Sequence, residues 1–378
     1  MTIERKLLGT SPSGGATDVA EVFSTYLYTG NQYNAAAVDV NNGIDLTSSG
    51  DGGLVWIKNR SAAVGHVLTD TVRGANSQLV SNTTAAAGDY GVGLTFDTNG
   101  FHFTSVDSAF NYSNDYVSWT FRKKKKFFDV VTYTGNGVAG REIAHGLDGP
   151  VGMMIVKDID TSTSSWATYH KSLGATKYMY LEATGGANTH IGFWNDTEPT
   201  DSVFTIGSLT AVNNVLGDTY VAYLFADNSS EDAEDQMIKC GSYTGTGAAL
   251  PINLGWEAQW VLIKKSSGTG GWYLMDSMRG MPNGGSFNSG HGPTLFADTN
   301  AAESLAVAVY PNASGFTIND NGSNINASGQ TYIYMAIRAP MMVEPEAATD
   351  VFAVESYTGD GGTRTLDAEF GPVDMAIA

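Results

Sequence analysis

The sequence predicts an all-β protein made of tandem antiparallel β-sandwich domains of jelly-roll or lectin-like type. Three observations carry this. The word Tyr-Thr-Gly stands at Tyr28-Thr29-Gly30, Tyr133-Thr134-Gly135, Tyr243-Thr244-Gly245 and Tyr357-Thr358-Gly359, at steps of 105, 110 and 114 residues. A word that returns at a nearly fixed interval marks a repeat architecture. The same succession of short apolar runs follows each of the first three occurrences. Glycine supplies 45 of 378 residues, and Thr, Ser and Asn are abundant; this suits tight turns between short strands and disfavours long helices.

The elements of unit one, residues 21–122, set the pattern. An opening strand runs through Tyr26 and Tyr28. Leu54-Val55-Trp56-Ile57-Lys58 is a continuous apolar run, as expected of a strand covered on both faces. His66 to Asp70 is a strand that turns at Gly74, Asn99-Gly100 turns into Phe101-His102-Phe103, and Asp115 to Phe121 closes the unit. Unit two, 127–226, repeats the order with Val130 to Tyr133, Pro150 to Lys157, Trp166 to Lys171, Val203 to Gly207 and Asp218 to Phe225. Unit three, 237–340, has Trp260 to Lys264, Trp272 to Gly280, Gly315 to Ile318 and Thr331 to Arg338. Lys58, Lys157 and Lys264 end equivalent strands and are expected to hold their charge at the strand end while their stems cover apolar surface. Such modules in tandem predict an elongated row.

Lys123 to Lys126 and the acidic stretch Asp227 to Asp235 read as linkers, and residues 1–20 as an N-terminal anchor or linker. Residues 351–378 begin a fourth unit that stops inside its core strand. The expectation is that the chain is a fragment of a longer one, or that a partner completes this unit.

Net charge is −19 with 16% charged residues. An acidic surface repels phosphate backbones, which argues against nucleic-acid binding. Cys240 is the lone cysteine, so no intrachain disulfide forms. No stretch has signal-peptide character or the length of a membrane span.

Candidates for chemistry are few. Asp70-x-x-Arg73-Gly74 and Asp276-x-x-Arg279-Gly280 recur in units one and three, whereas unit two reads His170-Lys171-Ser172 there. The favoured reading is a salt bridge that holds a turn, ahead of a carboxylate–guanidinium site. His66, His102, His145, His170, His190 and His291 show no metal-ligand spacing, and no Gly-x-Ser-x-Gly elbow is present. The Gly-rich piece Ser266 to Gly271 joins two strands and reads as a hairpin loop, since a phosphate cradle needs a helix N-terminus. Trp56, Trp166 and Trp260 are assigned to cores; Trp194 and Trp272 are the candidates for exposed rings that stack on sugars. The sequence therefore assigns no catalytic, cofactor-binding or metal residues and no cofactor.

The words Gly53 to Ser61, Asp70 to Gly74, Ser81 to Thr84, Asn99-Gly100-Phe101 and Tyr116 to Phe121 resemble the tandem domains in virion proteins of marine bacteriophages. The likeness spans about residues 22–340, is strongest in unit one, and restarts at 351. It implies a non-enzymatic structural protein of the phage particle, made in the host cytoplasm, with a tail fibre or tail-associated component as the leading expectation. The N-terminal segment would join other virion proteins and the repeats would project towards a host surface, with a surface glycan as a ligand to test. Proteins of this kind are generally symmetric homo-oligomers, often trimers. Alternatives are a capsid head fibre or decoration protein, and a polysaccharide-binding or depolymerising module.

Overall fold

A computed structural model of the chain describes residues 17–31, 38–213, 215–229, 235–282, 290–322 and 324–340. Most of the N-terminal segment, residues 230–234 of the acidic linker and the whole fourth unit lie outside the described residues. The molecule is nearly all β, as expected, and every strand pairing is antiparallel.

In each repeat the opening strand pairs with the closing strand. The closing strand pairs with the apolar central strand, and the central strand with a clamp strand. In repeat one these are Phe23–Thr29, Asp115–Arg122, Gly53–Asn59 and Val67–Asp70, followed at the sheet edge by Leu79–Val80. In repeat two they are Phe128–Thr134, Thr219–Ala226, Val151–Asp158 and Ala167–His170, with Lys177–Tyr180 and Asn188–Thr189 beyond. In repeat three they are Ile238–Thr244, Thr331–Arg338, Ala258–Lys265 and Trp272–Asp276, with Gly292–Phe296 and Ser304–Val307 beyond. A small second sheet packs on each large one: Val38–Asn41, Gly100–Phe103 and Thr95–Asp97 in repeat one, Arg141–Ala144 and Val203–Ile206 in repeat two, and Leu250–Asn253, Gly315–Ile318 and Val309–Asn312 in repeat three.

The central strands are apolar on both faces because both faces are covered. Side chains alternate across a strand. Val55 and Ile57 join Val40, Phe101 and Phe103 of the small sheet in the private core of repeat one, as Val261 and Ile263 join Phe316 and Ile318 in repeat three. Leu54 and Trp56 point the other way. They enter a shared core with Met153 and Ile155 of repeat two and Trp260 and Leu262 of repeat three. Phe121, Phe128, Phe225 and Trp260 come together there, with Phe121 5.3 Å from Phe225 and 6.0 Å from Trp260 between ring centres. Full burial of each such side chain contributes about 1.5–3 kcal/mol.

The repeats therefore do not form a row. Residues 17–340 are one compact unit, and the repeats close in a ring. The Ala87 N–H donates to the Ile159 carbonyl at 2.8 Å, Ala187 to Ser266 at 2.8 Å, and Glu303 to Arg60 at 2.9 Å. The bonds run from repeat one to two, two to three and three to one. A sheet with two apolar faces cannot stay exposed on either, and three such sheets hide one face each by meeting around a common core. The folded unit also takes in part of the N-terminal segment: Asp18 caps the short 3₁₀ turn Val19–Glu21, and Val19 is buried in the shared core.

Candidate functional site

The recurrent residues converge on two kinds of place: the seams between repeats, and the end of each sandwich where the opening strand leaves.

Each Asp-x-x-Arg-Gly word first makes its own turn. Asp70 Oδ1 accepts the N–H groups of Val72 and Arg73 at 3.0 and 2.9 Å, and Arg73 Nε meets Asp70 Oδ2 at 2.5 Å. Gly74 takes φ +88° to end the turn, where a side chain would be strained. The expected salt bridge is present, and so is a second role. Arg73 Nη2 donates to the Tyr223 hydroxyl of repeat two at 2.8 Å, and that hydroxyl donates back to Asp70 Oδ2 at 2.9 Å. In repeat three, Arg279 Nε meets Asp276 Oδ2 at 2.6 Å, and Asp276 accepts the Trp119 indole N–H of repeat one at 3.0 Å. The Arg279 guanidinium lies 5.4 Å from the Trp119 ring centre.

Tyr223, Trp119 and Met335 occupy equivalent positions on the three closing strands, opposite Ile155, Trp56 and Leu262. Met335 offers no polar side chain to the second repeat, and there the motif changes accordingly. His170 Nδ1 accepts the Ser172 N–H at 3.1 Å, replacing the turn-making carboxylate, and Nε2 bonds the Tyr334 carbonyl across the seam at 3.0 Å. Burial lowers His170 to about 4, which keeps it neutral. Repeat two thus retains a seam bond at this position by other chemistry.

The seam from repeat three to repeat one carries an added ion pair. Arg60 grips Glu303 with Nη2–Oε1 at 2.7 Å and Nε–Oε2 at 3.0 Å, and Arg279 Nη1 reaches the same carboxylate at 3.2 Å. These arginines hold Glu303 below the usual carboxylate range against its burial, and Glu303 raises Arg60.

Lys58, Lys157 and Lys264 depart from expectation. None carries its charge to solvent; all three are fully buried. Each ammonium is held by backbone carbonyls instead. Lys58 bonds Asn59 at 2.5 Å and Ala62 at 3.3 Å, and Lys157 bonds Asp158 at 2.6 Å and Thr84 of repeat one at 3.3 Å. Lys264 bonds Thr184 of repeat two at 2.8 Å, and also Gly270. For Lys157 and Lys264 one of these carbonyls belongs to the preceding repeat, which lies where water would otherwise meet the ammonium. Burial lowers all three to about 8.

Tyr-Thr-Gly belongs to the other place. Its tyrosine lies directly across from the closing-strand tyrosine in each repeat. The rings stack at 5.1 Å for Tyr28–Tyr116, 5.3 Å for Tyr133–Tyr220 and 5.0 Å for Tyr243–Tyr332. Each opening-strand hydroxyl donates to a loop carbonyl: Phe110, Val212 and Ile325. The glycine is needed because backbone lies against it. A Cβ would come within 1.8 Å of the Tyr112 oxygen at Gly30 and 2.3 Å of a carbonyl oxygen at Gly135 and Gly245.

A buried asparagine supports this corner, and sequence reasoning missed it. Asn111, Asn213 and Asn326 accept the N–H of the residue after each Gly at 3.0, 3.1 and 2.9 Å. They precede the closing tyrosines by five, seven and six residues, and this uneven spacing hid the recurrence.

Trp194 and Trp272 are not exposed. Both are 1% accessible. Trp194 donates to the Lys177 carbonyl, and Trp272 to the Tyr180 carbonyl across a seam, each at 3.0 Å. Neither can stack on a sugar in this structure. In the lysine linker, Lys123 and Lys125 pair with Asp129 and Asp148 at 3.2 and 3.1 Å. A shallow open depression of about 450 Å³ lies beside it, lined by Lys123 to Lys125, Phe128, Asp129 and His145 among others. Among the described residues no group of three His, Cys, Asp or Glu side chains could hold a metal ion, and no helix is long and apolar enough to cross a membrane.

No curated protein and no solved structure matches the chain. A family model described as a domain of unknown function (DUF7483) matches residues 18–340, which is the extent of the closed ring, and the chain belongs to that family.

Proposed function

We propose that this chain is a non-enzymatic structural protein of a bacteriophage particle, a tail fibre or tail-associated component made in the host cytoplasm. The observation that carries the reading is how the recurrent polar residues are used. Asp70, Arg73, His170, Asp276, Lys157 and Lys264 bond across the seams that close the ring, and Arg279 holds Asp276 there. Residues repeated in the sequence thus serve cohesion between repeats. The likeness of the words in repeat one to virion proteins points in the same direction.

In this reading the N-terminal segment joins other virion proteins and the ring projects towards the host surface. Ring closure already satisfies the three seams inside one chain, so a homo-oligomer, trimer included, would form through other surfaces.

Imaging of particles that carry a label on this chain tests the reading. Density on the tail is expected; density on the capsid would make it a head fibre or decoration protein, and absence from particles would overturn the proposal. Deleting residues 1–16, which leaves the buried Val19 in place, is expected to abolish incorporation. Release of reducing sugar from a host polysaccharide, abolished by a single Asp or Glu substitution, would replace the structural reading with an enzymatic one.

A further inference from the structure

Asp158 ends the central strand of repeat two and is fully buried. Its Oδ1 accepts the N–H groups of Asp160 and Thr161, both at 3.0 Å. Its Oδ2 is buried and has no hydrogen-bond partner. Repeat one shows what the position requires. Asn59 stands at the same place and makes the same turn, its Oδ1 accepting the N–H groups of Ser61 and Ala62 at 3.0 Å each. The Asn59 Nδ2 donates to the Ser108 carbonyl at 2.9 Å and to the Tyr116 hydroxyl oxygen at 3.3 Å. Tyr116 itself donates to Ser108 at 3.0 Å, and in repeat two Tyr220 donates to Thr210 at 2.8 Å in the same way. Where repeat one places a donor against two oxygens, repeat two places an oxygen.

We infer that Asp158 keeps a proton on Oδ2 in the folded chain and donates it to the Thr210 carbonyl and the Tyr220 hydroxyl oxygen, a proton-dependent clasp on the segments 209–213 and 215–218 that precede the closing strand. An ionised carboxylate there would set Oδ2 against two oxygens, the Thr210 carbonyl and the Tyr220 hydroxyl whose proton already goes to Thr210, with no donor on that oxygen. The charged groups around it do not change this balance. Lys157, on the same strand, gives its ammonium to the Asp158 and Thr84 carbonyls. Asp160, in the following turn, accepts the Thr219 N–H at 2.6 Å, and Asp218, before the closing strand, accepts the Thr161 hydroxyl at 2.7 Å. Tyr133, on the opening strand, stacks on Tyr220. Burial above all, and then Asp218, raise the Asp158 carboxyl against the pull of the Thr161 and Asp160 N–H groups and of Lys157. The loop so held also gives its Val215 N–H to the Tyr220 hydroxyl at 3.2 Å, and it carries Leu216, which is 80% exposed.

The sign of the linkage follows. The unfolded chain releases this proton near an ordinary Asp value of about 3.9, and the folded chain holds it to higher pH. Across that window the folded state binds more protons, so its stability falls as pH rises and stays lowered above the window. Asp158→Asn, which installs the donor found in repeat one, removes this loss. Unfolding of the full chain, measured against pH for wild type and D158N, is expected to coincide below about pH 4 and to diverge above it. The divergence is about tenfold in the unfolding constant for each unit by which the carboxyl is raised. Amide exchange at residues 215–217 is expected to slow in D158N over the same range. Asn59→Asp is expected to import the wild-type pH dependence into repeat one. Profiles for wild type and D158N that stay parallel at all pH values would overturn the inference. So would a carboxyl carbon resonance of Asp158 that titrates like that of a free aspartate, and this second readout does not depend on any variant folding.

Discussion

The Trp119 indole N–H donates to the Asp276 carboxylate at 3.0 Å, joining residues 157 apart in the chain across the seam that closes repeat three onto repeat one. Asp276 holds Arg279 at the same time, and both side chains are without solvent contact. Removing Asp276 takes from the buried Arg279 its nearest counter-ion and leaves it only the longer contact to Glu303 at 3.2 Å.

Asp276→Ala is therefore expected to destabilise the protein by about 3 kcal/mol, the low end for a broken buried pair, because Glu303 still faces Arg279. Denaturant unfolding should show a lower midpoint. Trp119→Phe keeps most of the packing and loses a hydrogen bond to a charged group, so about 1.5–3 kcal/mol is expected, with Arg279 Nε still on the same Asp276 oxygen. A change below 0.5 kcal/mol for D276A would mean that this seam contributes nothing to cohesion.

Arg60→Ala addresses the same seam at its edge, where Glu303 is still held by Arg279. Both side chains of the Arg60–Glu303 pair keep some contact with water, so a smaller loss of about 1 kcal/mol is expected. It should shrink as salt is added, whereas the D276A loss should persist. Titrating both variants with salt during unfolding separates the two cases.

The buried lysines make stability depend on alkaline pH. Each titrates at about 8 in the folded chain and near 10.4 when unfolded. Between these values the unfolded chain binds more protons, so their contribution to stability rises with pH across the window. Above about pH 10 the effect reverses, because burial raises Tyr133 and Tyr223 and the unfolded chain then gains by ionising its tyrosines. Unfolding free energy measured from pH 7 to 11 should reflect both. Lys157→Met should flatten the rise by about one third, since one of three equivalent groups is gone.

Gly30→Ala and Gly135→Ala should each destabilise by about 1–3 kcal/mol, because the added Cβ meets a carbonyl oxygen that is part of the backbone and cannot swing away. Gly74→Ala meets no atom but adopts a strained φ, so a loss of about 1–2 kcal/mol is expected there. Thermal unfolding of the three variants tests this ranking.

Much of the fold was legible. Strand order within a repeat follows from apolar runs with turn residues between them, and the three central strands fall on the runs Leu54 to Lys58, Pro150 to Lys157 and Trp260 to Lys264. The Asp70–Arg73 turn was legible too, because its partners are three residues apart. Its bond to Tyr223 was not, since nothing near either residue marks the other. Trp194 and Trp272 misled for a related reason: a tryptophan beside glycine and asparagine looks like a loop ring, and only packing shows what covers it.

The sequence by itself determined the all-β class, the length of the repeat and the strands within it, because these depend on side-chain alternation, turn chemistry and contacts between near neighbours. Only the tertiary structure decided that the repeats close on one another rather than run in a row. A central strand that is apolar on both faces states that both must be covered, yet it does not say by what. The answer lies in contacts between repeats more than a hundred residues apart, such as Phe121 with Trp260 and Asp276 with Trp119. Those contacts bury the lysine ammonium groups and turn a local salt bridge into a joint between repeats.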